Sequence, residues 1–429
     1  MQTTIQELYS VFLKHRLIST DSRQIMPGSL FFALKGDNFD GNKYAQDAIG
    51  AGAAYAVIDN PEFSGKQTLQ VNDVLETLQQ LALWHRKQFA IPVIAITGSN
   101  GKTTTKELTY TILKQKYTVT ATKGNLNNHI GVPITILGID NNTQIAIIEM
   151  GANHPGEIAQ LCHIAEPTHG LITNIGRAHL GGFGGFEGVV KAKSELYKWL
   201  QLKDGGVFVN EGNHLLMELS AGMNRTLYGS TDGIHTRAKV GESQAMLKLD
   251  WYTDKNVLSI STHLVGNYNF ENVMAAICIG TSFNVDPALI KEAAESYMPS
   301  NSRSQTVKTE RNNIILDAYN ANPTSMQVAI ENFATIPARP KMVIVGDMLE
   351  LGNESIAEHT GIINLIEKSG FEQVLLVGPD FTRAASGQFR CFASSDEAQK
   401  WVKEQMFENY TILIKGSRGI KMEKVLGAL

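Results

Sequence analysis

The chain has 429 residues, with 38 Lys or Arg against 42 Asp or Glu and a formal net charge of −4. At roughly 150 residues per domain the length suggests three domains, and the 43% hydrophobic and 19% charged fractions are those of a globular chain, which excludes disorder and collagen-like repeats. Near-neutral charge gives no electrostatic footprint for nucleic acid, no apolar run reaches the ~18 residues of a membrane span, and three isolated cysteines (Cys162, Cys278, Cys391) without a CxxC pair fit a reducing compartment, so a soluble cytoplasmic enzyme is expected.

The first 88 residues mix short strands with turns. Ser29–Leu34 and Tyr55–Ile58 read as strands, and Val71–Phe89 carries helical spacing at Val74, Leu78, Leu81 and Trp84. The texture changes at Ile91. Ile91–Thr97 is nearly all apolar, as in a strand buried on both faces of a parallel sheet. Gln144–Met150, Thr168–Asn174 and Gly206–Asn210 repeat that pattern, with helical stretches between them. Residues 225–265 include polar alternating runs such as Ala245–Trp251, which suggest a small antiparallel insert. From Asn301 onward, Asn313–Asp317, Lys341–Gly346, Gln373–Gly378 and Thr411–Lys415 are four further apolar runs separated by helices. The fold class is therefore α/β, with expected domains at 1–88, 89–300 and 301–429. Hinges are expected near 85–90 and 295–302.

The chemistry begins at Thr97–Thr105, TGSNGKTTT, which follows a buried strand and opens a helix. Glycines at 98 and 101 let backbone N–H groups converge on an anion, and the helix N-terminus adds its dipole. Asn100 and Thr104 complete the loop. Lys102 would reach the terminal phosphates and Thr103 would ligate Mg²⁺. The strict GxxxxGK[ST] spacing fails because Ile96 stands where glycine is required. The alternative is a glycine-rich turn with no ligand.

Other candidates sit at strand ends, where open α/β sheets bind ligands. Glu149 is a Mg²⁺ ligand or a solvated carboxylate. His179, in NIGRAHL, ligates metal, contacts phosphate or is structural. Residues 187–200 read as one amphipathic helix with Val189, Leu196 and Leu200 on its apolar face, and Lys193 falls in the middle of that face. A lysine there snorkels, pairs or loses its proton, and a neutral amine can add CO₂ to form a carbamate. Asn269 and Asn272 share a helix face and either read a purine edge or cap a helix. Asp317, at the end of another strand, either accepts from ribose hydroxyls or belongs to a plain turn with Asn320 and Asn322 before Pro323.

Together, GSNGKTTT (98–105), EMGA (149–152), NIGRAHL (174–180), the Lys193 helix, GNYNFEN (266–272), Arg303 in NSRS and DAYNANP (317–323) resemble the Mur ligases, the ATP-dependent amide-bond ligases of peptidoglycan precursor synthesis. TDSRQIMPGSLFFALKGDNFDG (20–41) is similar to the UDP-sugar-binding domain of two family branches. DAYNANP with VGDMLELG (345–352) and KGSRG (415–419) is similar to the branch that joins D-Ala-D-Ala to UDP-MurNAc-tripeptide.

The resemblance implies a small α/β UDP-sugar domain, a central P-loop ATPase-like domain with a parallel sheet, and a Rossmann-like C-terminal domain. It implies ATP and two Mg²⁺. Lys102 contacts phosphates, Thr103 and Glu149 hold the first Mg²⁺, and His179 holds the second. Lys193 matches the lysine that is carbamylated in several relatives. Asn269 and Asn272 match adenine contacts, Arg303 a phosphate contact and Asp317 a ribose contact. Ser22 and Arg23 match the UDP site, and Asn320, Asn322, Lys415 and Arg418 are expected on the substrate side. Asn267-Tyr268 departs from the basic pair common at that point. The rivals are the preceding-step ligase, whose DNPR-type motif does not occur around 317–330, a folylpolyglutamate synthetase, and a nucleotide-hydrolysing module that does not ligate.

Overall fold

The computed structural model describes residues 2–242, 246–300, 302–385 and 387–429. Ala245, at the head of the expected alternating run, and Asn301, at the expected third-domain boundary, lie outside them. The chain forms two compact units, and both are discontinuous in sequence. The first comprises Met1–Ala95, Tyr117–Ala152 and Gly156–Gly170, and the second comprises Ile96–Lys116, Asn153–Pro155 and Leu171–Leu429.

In the first unit, the helix Ile5–Phe12 starts at a capping box in which Thr4 and Glu7 satisfy each other's backbone N–H groups. Four strands pair in parallel, in the order Ile18–Ser19, Leu30–Phe32, Tyr55–Ile58 and Thr68–Gln70. Leu30, Phe31 and Phe32 are all buried, as the apolar run predicts, and each contributes about 1.5–3 kcal/mol of apolar burial. The expected helix is Val74–Arg86, capped by the Asp73 carboxylate on Glu76 N–H. A second set of neighbouring strands runs Val119–Ala121, Ile145–Glu149, Val93–Thr97 and His169–Ile172.

The hinge expected at 85–90 is pinned within this unit. The Arg86 guanidinium is buried and donates to the carbonyls of Ala165 (2.9 Å), Phe89 (2.5 Å), Ile91 (3.5 Å) and Glu166 (3.2 Å). His85 is fully buried, with Nε2 at 2.8 Å from the Ile139 carbonyl and Nδ1 at 3.2 Å from the Tyr9 hydroxyl. A segment held by this many buried hydrogen bonds does not bend freely.

In the second unit, the strand order is Gly206–Asn210, Asn224–Gly229, Thr236–Val240, Met246–Tyr252 and Val257–Val265. The pairings from Gly206 to Val240 are parallel and the last two are antiparallel. The expected antiparallel insert is thus an extension of a larger sheet, and Met246–Tyr252 does alternate in burial. A separate six-stranded sheet runs Gln305–Lys308, Asn313–Asp317, Thr411–Lys415, Lys341–Gly346, Gln373–Val377, Arg390–Phe392. Its first pair is antiparallel and the others are parallel. Lys341–Gly346 is buried throughout, as a central parallel strand requires.

The helix expected over 187–200 is two helices, Phe186–Lys193 and Glu195–Leu202. Between them Ser194 turns its hydroxyl onto the Val190 carbonyl at 2.6 Å, and its backbone N–H donates to the same carbonyl at 3.0 Å.

Candidate functional site

The phosphate loop is built as its sequence predicts. Val93–Thr97 ends in Gly98, with φ +142°, and Gly101, with φ +81°, precedes the helix Lys102–Leu113. Glycine is required at both positions by space as well as by backbone angle. A Cβ on Gly98 would lie 2.0 Å from Thr173 Oγ1, and one on Gly101 would lie 2.2 Å from Asn272 Oδ1. The strand end at Thr173-Asn174 braces the loop. Ser99 N–H donates to the Asn174 carbonyl (2.9 Å), Asn100 N–H to Asn174 Oδ1 (3.0 Å), and Thr173 Oγ1 and Asn174 Nδ2 donate to the Asn100 carbonyl at 2.5 and 3.1 Å. Lys102 Nζ folds over the loop and donates to the carbonyls of Gly98 (2.6 Å) and Ser99 (3.1 Å). Thr103 is buried in the first helical turn and Thr104 is half-buried.

Asn269 and Asn272 face the same helix. Asn272 Oδ1 accepts from Thr105 Oγ1 (3.1 Å), its Nδ2 donates to Asn269 Oδ1 (2.9 Å), and Asn269 Nδ2 donates to the Val265 carbonyl (2.9 Å). Both amides are buried. One proton of each NH₂ is engaged within the protein, so the pair supports the loop from below. The residue before Asn269 in the GNYNFEN segment, Tyr268, places its hydroxyl 2.7 Å from Ser304 Oγ.

Glu149 lies in the first unit. Its carboxylate is buried at the end of its strand, Oε1 accepts from Asn127 Nδ2 at 2.8 Å, and its N–H donates to Thr122 Oγ1 at 3.0 Å. The buried carboxylate of Glu149 and, separately, the helix-start hydroxyl of Thr103 are each hard oxygen donors of the kind that suit Mg²⁺.

His179 adopts a left-handed backbone, φ +53°, at the start of a short helix. Its Nδ1 faces the Glu350 carboxylate, and the hydrogen bond from the imidazole holds that carboxyl below the usual range. The neighbouring Arg177 pairs with Glu354 and with Glu358, the latter at 2.6 Å. Lys193 is buried, as its place on the apolar face predicts, with Nζ 5.4 Å from the Phe183 ring centre. Lys191 and Lys198 are exposed.

Around the end of Asn313–Asp317, Asp317 Oδ2 accepts from Lys415 Nζ at 2.5 Å and Oδ1 from Ser304 N–H at 3.2 Å. Lys415 is 2% exposed and also reaches the Asn320 carbonyl at 3.4 Å. Lys415, expected on the substrate side, thus has its ammonium on Asp317. Arg418 is exposed. Arg303 stacks its guanidinium 3.6 Å above the centre of the Tyr319 ring, and Arg418 lies 5.5 Å from the same ring. Asn320 is exposed and turns its Oδ1 onto the Ala321 N–H. Asn322 is buried and caps the helix Pro323–Thr335. In the first unit, Ser22 is half-buried, whereas Arg23 is 85% exposed and forks onto Asp21 through Nε (2.9 Å) and a terminal nitrogen (2.7 Å), which lowers the Asp21 carboxyl to about 2.

The sequence reading missed Thr173, Asn174, Tyr319 and Glu350. Thr173 and Asn174 stand at a predicted strand end, and Tyr319 and Glu350 lie inside the quoted segments DAYNANP and VGDMLELG, so each had a usable signal although none was singled out. Among the described residues, Asp347, His359 and Asp380 also cluster. Asp347 accepts from the N–H groups of Asp380 and Phe381, and His359 Nε2 accepts from Met348 N–H. Those lone pairs serve the fold.

Three family models match the chain: Mur ligase family, catalytic domain, over 14–86; Mur ligase middle domain, over 96–280; and Mur ligase, glutamate ligase domain, over 302–418. The UDP-N-acetylmuramoyl-tripeptide–D-alanyl-D-alanine ligase of Bacillus subtilis is 34% identical over 95% of this chain and 92% of its own length. The chain belongs to the Mur ligase family. The crystal structure of MurF from Acinetobacter baumannii superposes on this Mur ligase with a TM-score of 0.88 at 29% identity, covering 100% of this chain and 98% of that one. MurF ligase from Thermotoga maritima, solved in complex with ADP, gives 0.84 at 26% identity and 97% of each chain. No helix among the described residues of this Mur ligase is long and apolar enough to cross a membrane.

Proposed function

We propose that this Mur ligase joins D-alanyl-D-alanine to UDP-MurNAc-tripeptide, with ATP converted to ADP and phosphate, in cytoplasmic peptidoglycan precursor synthesis. The observation that carries this reading is identity along nearly the whole chain with ligases named for that reaction. A phosphate loop of the required form supports it. Residues 1–88 are assigned to the UDP-sugar, 89–300 to ATP and 301–429 to the dipeptide.

The chemistry follows from a leaving-group problem. A carboxylate does not condense with an amine in water, because hydroxide leaves poorly. The tripeptide carboxylate therefore attacks the γ-phosphorus of ATP and ADP departs. The amine of D-Ala-D-Ala attacks the resulting acyl phosphate, phosphate leaves and the nitrogen loses a proton. The protein's part is to position reactants and balance charge. The loop N–H groups and Lys102 receive the phosphates, Arg303 reaches them from its stack on Tyr319, and Asn269, Asn272 and Asp317 line the nucleoside. Thr103 and Glu149 each carry an oxygen that would suit Mg²⁺ and His179 a nitrogen that would suit a second ion, and such ions would supply screening of the phosphate charge. Lys193, if neutral, would add CO₂ and release a proton to solvent, and the resulting anionic carbamate would support a second ion. Ser22 and Arg23 serve the UDP group. Asn320 and Arg418 serve the dipeptide, Arg418 through the forked geometry that suits a carboxylate.

The test is ATP-dependent phosphate release with UDP-MurNAc-tripeptide and each candidate amine in turn. Release that depends on D-Ala-D-Ala is expected. Release without any amine would point to a hydrolysing module, and release driven by a single amino acid on UDP-MurNAc-dipeptide would point to the preceding-step ligase.

A further inference from the structure

Asn322 caps the helix Pro323–Thr335, but its side chain does two things. Oδ1 accepts from Ser325 N–H at 2.9 Å, which is the cap. Nδ2 donates to Asn100 Oδ1 at 2.8 Å, and Asn100 Nδ2 returns to Asn322 Oδ1 at 3.4 Å. A cap needs only the oxygen, and serine serves there as well as asparagine. The amide nitrogen is thus dispensable for the helix, and it is directed at the phosphate loop. Two residues on, Thr324 Oγ1 accepts from Arg177 N–H at 3.0 Å, in the loop that carries His179.

Asn100 is the residue before Gly101, whose left-handed backbone starts the P-loop helix. Thr173 and Asn174 hold its backbone, and Asn322 holds its side chain. A loop that binds phosphate through backbone N–H groups is effective only if those groups are fixed before the anion arrives. The last restraint on Asn100 therefore comes from 222 residues away in sequence.

We propose that Asn322 is a positioning residue for the nucleotide, which acts through Asn100 to hold the phosphate loop in its anion-binding shape. ATP affinity then depends on how the first helix after Asp317 is seated. This rests on the assignment of the loop as the ATP site.

The experiment is calorimetric titration of the full chain with ATP and Mg²⁺, on wild type, N322S, N100A, the double variant and K102A, with thermal unfolding measured on each. N322S keeps the cap oxygen and removes the amide nitrogen. Its unfolding midpoint should stay at the wild-type value while the ATP Kd rises about three- to tenfold, the weight of one neutral hydrogen bond. In the N100A background the same substitution should change Kd less than twofold, because its partner is gone. An equal effect of N322S in both backgrounds, or none in either, overturns the proposal. K102A separates the two levels: if it abolishes ATP binding while N322S changes nothing, only the role of Asn322 fails. If K102A and N322S both bind as wild type, the assignment of the ATP site fails and takes the role of Asn322 with it.

Discussion

Replacing Gly101 by alanine combines two penalties that a second glycine can separate. At φ +81° any Cβ costs about 1–2 kcal/mol of backbone strain. At Gly101 the new carbon also lands 2.2 Å from Asn272 Oδ1, closer than any real contact. Asn272 must move, which breaks its bonds to Thr105 and Asn269 at about 1 kcal/mol each. The expected cost of G101A is therefore about 3–4 kcal/mol, before any effect on ATP. Gly233, at φ +84°, has nothing within 4 Å of the same carbon. G233A should carry the strain alone, about 1–2 kcal/mol. Urea unfolding of the two variants, read as a shift in midpoint at constant slope, measures the difference directly. If G101A is no less stable than G233A, the close approach of Asn272 does not matter and the support assigned to the asparagine pair is wrong.

Arg86→Met should lower stability by about 3–5 kcal/mol, because buried carbonyls lose a charged donor they cannot replace; a midpoint shift equivalent to less than 1 kcal/mol would refute this. Lys193→Met should fold, since the site is buried and the side chains are similar in length, but it should lose ligation; full activity in the phosphate-release assay would make Lys193 a packing residue only. Burial lowers the His85 pKa below its ordinary value, so the folded state binds fewer protons than the unfolded chain. Stability is then full above about pH 6.5 and falls with pH below it, by up to about 1.4 kcal/mol per pH unit for this group. His85→Gln should flatten that acid limb in thermal melts, and an unchanged slope would exclude His85 as its source.

The parts legible in the sequence are those whose chemistry is local. The run at Val93–Thr97, the glycines after it and the helix start are contiguous, so a strand, a turn and an anion site can be read together. The burial of Lys193 follows from its place among Val189, Leu196 and Leu200, although the break at Ser194 does not follow from that pattern. The pairing of Lys415 is not legible in the sequence because its partner, Asp317, is 98 residues away. The hinge at 85–90 reads as a linker because nothing nearby reveals that Arg86 closes on Ala165 and Glu166. Pairings of this kind are set by tertiary packing, and spacing along the chain does not encode them.

The interleaving of the two units bears on how the protein is made. The first unit is left incomplete at Ala95 and closes only when Gly156–Gly170 has been synthesised. At 5–20 residues per second, a ribosome needs roughly 4–15 s to cover that interval. For that time Arg86 exists without Ala165 and Glu166, and the strand begun at Val93 lacks its neighbour at His169. A nascent chain halted between residues 95 and 156 therefore exposes apolar strand edges that the finished enzyme covers.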